Sequence, residues 1–124
     1  MANLNRVQLI GRLGKEPEGH MTQKGTLVVR FPLAVNRYRK SGNETKEETD
    51  WFNVDTYGRI AVICNEYLHK GSLVFVEGRL QTDRYEKDGE IHYFTKVVAK
   101  NLQMLDRKLE EPVEVIEDED PIEP

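Results

Sequence analysis

Hydrophobic residues recur at every second position through five separate stretches of this chain, and in only one stretch does the period change. A period of two is the mark of a strand with one buried face. LNRVQLIGRL sets Val7, Leu9, Gly11 and Leu13 against Arg6, Gln8, Ile10 and Arg12. TLVVRFPLAVNRY sets Leu27, Val29, Phe31, Leu33 and Val35 against Val28, Arg30, Pro32, Ala34, Asn36 and Tyr38. In ETDWFNVDTYGR, Phe52, Val54 and Thr56 form a core stripe, while Trp51, Asn53, Asp55, Tyr57 and Arg59 point the other way. SLVFVEGRLQTDRY pairs an inner set of Val74, Val76, Gly78 and Leu80 with an outer Leu73, Phe75, Glu77, Arg79 and Gln81. IHYFTKVVAKNLQML is the last strand and ends near Leu105.

The connections carry their own signals. A loop from Gly14 to about Gly25 follows the first strand, and the polar RKSGNETKEET reads as a second loop around Gly42-Asn43. Pro32 has no N–H to give to a ladder and predicts a bulge or an edge in its strand. EKDGE reads as a hairpin turn on Asp88-Gly89. IAVICNEYLHKG places Ile60, Ile63 and Tyr67 or Leu68 on one helical face, with His69 and Lys70 in the last turn and Gly71 as a left-handed terminator. The chain is all-β: five strands, with one helix between the third and fourth, give the order of a five-stranded OB-fold Greek-key barrel. Other small Greek-key barrels share the strand count.

The 124 residues suffice for one domain with a modest core. The net charge of −4 averages two regions. Residues 1–105 hold 16 Lys+Arg against 13 Asp+Glu, whereas residues 106–124 hold 2 against 9. A mildly basic body, 1–105, thus carries an acidic, flexible C-terminal tail, 106–124, a solvated end or an interaction tail. No run approaches 18 apolar residues, so no membrane partner is expected. The start, MANLNRVQLIGRL, reads as neither signal nor transit peptide, and the single Cys64 suits a reducing cytoplasm. His20, His69, His92 and Cys64 show no metal-ligand spacing, phosphate-loop signatures are absent, and no cofactor is expected. Asp50, Asp55 and Glu77 have no His or Cys near in sequence to make a base–nucleophile pair, so no catalytic residue is assigned.

What stands out is the chemistry of the outward faces. OB-folds bind single-stranded nucleic acid by combining basic grooves with aromatic faces on which bases stack. Tyr38 ends the second strand between Arg37 and Arg39. Trp51 and Tyr57 lie opposite the core stripe of the third, followed by Arg59, and Tyr85 closes the fourth beside Arg84. Tyr93 and Phe94 alternate, so at most one is expected to be available. Each ring alone also fits half-buried packing, and an outward tryptophan also fits a subunit interface. Arg30 and Arg79 fit solvation or pairing with Glu77. Recurrence on several strands favours nucleic acid. Val28, Leu73, Phe75 and the outward residues of the first strand leave apolar surface for a further copy of the chain.

Several segments together resemble bacterial single-stranded DNA-binding protein, the homotetrameric replication and repair type. They are LNRVQLIGRLGKEPE, FPLAVNRY, ETDWFNVDTYGRIAVICNEYLHKGSLVFVEGRLQT and FTKVVAKNLQML, in order and at family spacing over about residues 3–105. The resemblance implies non-catalytic binding of single-stranded DNA in replication, recombination and repair, by a bacterial cytoplasmic, nucleoid-associated homotetramer. Stacking would fall to Trp51, Tyr57, Tyr38 and Tyr85. Phosphate contacts would fall to Arg6, Arg59 and Lys70, with Arg37, Arg39 and Arg84 beside the rings. Asn53 and Asp83 stand where some members carry arginine. Family tails end in an acidic tip with a terminal Ile-Pro-Phe that docks replication and repair proteins. Here Asp118, Glu119, Asp120, Pro121 and Ile122 resemble that tip without the final aromatic. A primosome-type dimeric OB protein, an OB-fold hydrolase and a protein-docking adaptor are the alternatives.

Overall fold

The computed structural model describes residues 2–106 and the strand at 116–117. Seven strands and a helix follow in order: β1 (Val7–Leu13), β2 (Glu18–Met21), β3 (Leu27–Ser41), β4 (Glu44–Tyr57), α1 (Gly58–Tyr67), β5 (Leu73–Lys87), β6 (Glu90–Met104) and β7 (Ile116–Glu117). Five of them close a barrel. β1 pairs with β5, β5 with β6, β6 in parallel with β4 at Val97 and Val98, β4 with β3, and β3 returns to β1 at Leu33 and Ala34. The five strands read from the alternation are these five, and the order of strands and helix is that of an OB-fold.

Closure demands backbone contact that side chains would block. A Cβ on Gly11 would strike the Ala34 carbonyl, and one on Gly78 would strike the Val98 carbonyl. Beside Gly78 the β5–β6 register slips past Lys100, a bulge of the kind that bends strands into barrels. The core holds the predicted stripes of the first four strands, Leu13, Val29, Phe31, Leu33, Val54, Val74 and Val76, joined by Val97 and Leu102 of β6 and plugged by Ile60, Ala61, Cys64 and Leu68 of the helix region. Leu33→Ala, removing a fully buried side chain, should cost about 2–5 kcal/mol.

Several local expectations need correction. The first loop contains β2, which pairs with Leu27–Arg30 of β3. The polar segment around Gly42-Asn43 is strand almost throughout: β3 and β4 run on to a two-residue turn with Gly42 at φ 63. Tertiary pairing there overrides polar composition. Pro32 makes no bulge in the β3–β4 ladder; it sits on the other edge of β3, between the part that pairs with β2 and the part that pairs with β1. The helix ends at Tyr67, because Leu68 turns extended and drops into the core. His69, Lys70 and Gly71 (φ 92) therefore form the turn into β5. Leu80, expected inside, is 42% exposed, because β5 there leaves the barrel. Val28, expected on an apolar surface, is 1% exposed, lying opposite His20 of β2 and Tyr57 of β4.

Cys64 is buried, and that desolvation pushes its thiol up to about 12. A thiol reagent at pH 8 should leave native protein unmodified and label it only under denaturing conditions. Rapid labelling of the native chain would contradict this burial.

Candidate nucleic-acid interface

Two strand pairs outgrow the barrel. Beyond the residues that touch a third strand, β3–β4 and β5–β6 continue as two-stranded arms, ending at Gly42-Asn43 and Asp88-Gly89. Residues directly opposite across an antiparallel pair share a face. On one face of β3–β4 this collects Val28 with Tyr57, Arg30 with Asp55, Pro32 with Asn53, Ala34 with Trp51 and Tyr38 with Glu47. On one face of β5–β6 it collects Gln81 with Lys96, Asp83 with Phe94 and Tyr85 with His92. These two faces flank a groove of about 670 Å³ lined by Trp51, Asn53, Phe94, Lys96, Arg30 and Lys15 among others.

The rings sit there with their faces available. Trp51 is 60% exposed and Phe94, on the opposite wall, 43%. Trp51 is backed by Gly14, where a Cβ would collide with the indole ring. Gly14→Ala should therefore displace Trp51 and change its emission before any ligand is added. An unchanged spectrum would show that the ring does not rest on that glycine. Tyr85 stacks on His92, with ring centroids 5.3 Å apart, so His92 backs one face of the tyrosine ring, which stays half-exposed. Tyr93 and Phe94 are both exposed, on opposite faces, because an arm two strands thick has no core side.

Under the groove lies a polar network that alternation did not foretell. Asp55, expected on the wet face, is buried. Its carboxylate meets Lys96 Nζ at 2.9 Å and Arg30 Nε at 3.2 Å, and accepts from the Tyr57 hydroxyl at 3.3 Å. Lys96 also faces Asp83 at 3.4 Å. Burial works to lower the Lys96 pKa, but the hydrogen bond and charge of Asp55, with Tyr57 and Asp83, outweigh it and raise the value. Asp83 is held below the usual carboxylate range, chiefly because Gln81 donates to it at 3.0 Å and then because of Lys96. Arg30 thus pairs with Asp55 rather than Glu77, whose arginine partner is Arg6 at 3.1 Å.

The cations read from sequence are dispersed. Arg37 and Arg39 lie on the face of the β3 arm opposite Tyr38, since neighbours along a strand cannot share a face. Arg37 contacts Glu48 at 2.8 Å and Asp50 at 2.9 Å, and Arg39 contacts Glu48 at 3.6 Å. Arg84 is likewise across the strand from Tyr85, opposite Tyr93. Arg59 is exposed in the first turn of α1, and Lys70 is exposed in the turn before β5. Tail residues Asp118, Glu119, Asp120, Pro121 and Ile122 lie outside the described residues. Of the expected flexible tail, Ile116 and Glu117 pair antiparallel with Leu102 and Asn101 of β6.

Residues 4–105 match the model of the single-strand binding protein family. The chain belongs to that family. It is 42% identical over 108 residues to single-stranded DNA-binding protein 1 of Chlorobaculum tepidum, covering 85% of this chain and 67% of that one. It is 45% identical over 106 residues to single-stranded DNA-binding protein 1 of Staphylococcus aureus, covering 85% and 67%. A structure described as the Plasmodium falciparum SSB complex with ssDNA superposes with a TM-score of 0.80 at 32% identity, covering 86% of this chain and 98% of that one. The Thermus aquaticus single-stranded DNA binding protein, as a deletion mutant, gives 0.74 at 34% identity, covering 83% and 51%.

Within this family member, Phe94, Lys96, Arg30 and Asp55 are the groove residues that sequence reasoning missed. One signal was available for Lys96: a lysine inside the apolar run FTKVVA needs a buried partner or an outward face. Its partner could not be read, because Asp55 is far away in sequence and meets it only through the parallel β4–β6 pairing.

Proposed function

We infer that the groove binds single-stranded DNA with little sequence preference, its bases stacking on Trp51, Phe94 and the tyrosines of the same faces. The observation that carries this is Trp51, exposed on a strand, backed by Gly14 and facing Phe94 across a groove that also holds Arg30 and Lys96. Stacking of this kind contributes roughly 1–3 kcal/mol per base and tolerates any base. Duplex DNA keeps its base faces covered, so the same rings select single strands. The Plasmodium relative seen with ssDNA supports the assignment.

The function extends, on this reading, to protection of single strands in replication, recombination and repair, without catalysis, in the bacterial cytoplasm at the nucleoid. A homotetramer is the assembly: Ile10 is 55% exposed beside a partly buried Phe75, apolar surface for another copy to cover. A monomeric mass at micromolar concentration would contradict that. The acidic tip Asp118–Ile122 is the docking element for replication and repair proteins.

Trp51 is the only tryptophan, so its fluorescence tests the site directly. Titration with an oligothymidine should quench it, and duplex of equal phosphate content should not. Equal quenching by duplex, or none by either, would remove the stacking reading and favour a docking surface.

A further inference from the structure

The groove walls carry three cations, Lys15, Arg30 and Lys96, against four carboxylates, Glu16, Glu18, Asp55 and Asp83. A chain of phosphates entering that groove meets two cations, Arg30 and Lys96, already paired with the protein's own anions. The four carboxylates are not equivalent. Glu16 turns away to accept from the Lys70 backbone N–H at 2.8 Å and to meet His69. Glu18 lies on β2, opposite Arg30. Asp55 is buried beneath its three partners.

Asp83 differs in that it is 48% exposed and yet holds a groove cation. The Lys96 side chain is 9% exposed, with Asp55 at 2.9 Å below and Asp83 at 3.4 Å. An ammonium has three donors. Asp55 takes one in a short buried contact, and Asp83 takes another in a longer one open to solvent, the kind of pair that contributes little and exchanges readily. We propose that Asp83 is a displaceable stand-in for phosphate, covering Lys96 in the free protein and yielding it to a backbone phosphate of the incoming strand. Asp55 remains in place throughout and keeps Lys96 and Arg30 aimed at the groove. Gln81 holds Asp83 through the other carboxylate oxygen, so the displaced side chain swings about a tethered position on an arm opposite Phe94. Lys96 joins the phosphate contacts only as Asp83 leaves, which makes part of the affinity conditional on a phosphate reaching the base of the groove.

This rests on the single-strand-binding reading. The test uses the full chain, oligothymidine and Trp51 quenching over a range of salt concentrations. Asp83→Asn keeps the acceptor for Gln81 and removes the charge. It should tighten binding about three- to fivefold at low salt and leave the slope of log K against log salt as in the parent, because Lys96 neutralises the same phosphate in both complexes. A slope steeper by about 0.7 would show that the parent never yields Lys96 and would overturn the proposal. Asp88→Asn, at the tip of the same arm, makes the same change of net charge away from Lys96 and should leave both quantities as in the parent. Equal gains in the two variants would reduce the effect to net charge and overturn the proposal. So would unchanged or weaker binding by Asp83→Asn. If the parent chain itself shows no quenching, the functional reading falls and this proposal falls with it.

Discussion

Trp51→Ala should weaken binding of an oligothymidine by roughly 1–3 kcal/mol while leaving the unfolding transition where it was. The ring is mostly exposed and rests on Gly14, so its removal opens no core cavity. The core stripe on the other side of β4, Phe52 and Val54, stays intact. The remaining binding should become more dependent on salt, because stacking is the share of affinity that counterion release does not carry. Fluorescence is lost with the tryptophan, so anisotropy of a labelled oligonucleotide is the measurement. Binding within error of the parent would mean that bases do not lie on this ring, and a drop in unfolding midpoint would mean that the ring is structural.

Asp55→Ala should have the larger effect on stability, about 3 kcal/mol. It leaves Lys96 buried with only the half-exposed Asp83 at 3.4 Å, and it frees Arg30 and Tyr57 from their common partner. Breaking one side of a buried pair is costly because the orphaned charge keeps its desolvation penalty. The sign of the pH dependence follows from the same network. The folded-state pKa of Lys96 is raised above its ordinary 10.5. Its contribution is therefore fully present below that value and is lost as pH rises through the folded pKa. In Asp55→Ala, burial of the ammonium acts with little opposition, so the Lys96 pKa should fall, visible in side-chain NMR. Urea denaturation measures the stability loss. A change within about 0.5 kcal/mol, the scatter of surface substitutions, would show that Asp55 is not a load on the fold. The pair Asp55→Leu with Lys96→Met should recover much of the loss, since apolar replacement of both partners removes the desolvation penalty.

The alternation of hydrophobic residues determined most of the barrel. Val29, Phe31 and Leu33 face the core because a strand has a period of two, and no packing detail could reverse that without exposing all three together. The same rule placed Trp51, Tyr57 and Tyr38 on one outward face, and the β3–β4 register keeps them there. The rule was also available against the pairing of Tyr38 with Arg37 and Arg39, and of Tyr85 with Arg84, which adjacency in sequence suggested and the pleat separates. Polar composition hid the arms: Arg39–Ser41 and Glu44–Thr49 form strands because each supplies the other's backbone partners, a benefit that no local propensity records.

Tertiary structure alone decided the groove. Phe94 faces Trp51, and Lys96 meets Asp55, only because β6 runs parallel to β4 and closes the barrel. Asp55 and Val28 are buried on what the sequence marks as an outer face, because neighbouring strands bring side chains against them there: Lys96, Arg30 and Tyr57 around Asp55, and the residues across from Val28, His20 of the unforeseen β2 and Tyr57 of β4. A single chain's periodicity fixes which side of its own strand a residue takes. What lies across from that side depends on strand order and register, and these are set by closure of the whole sheet.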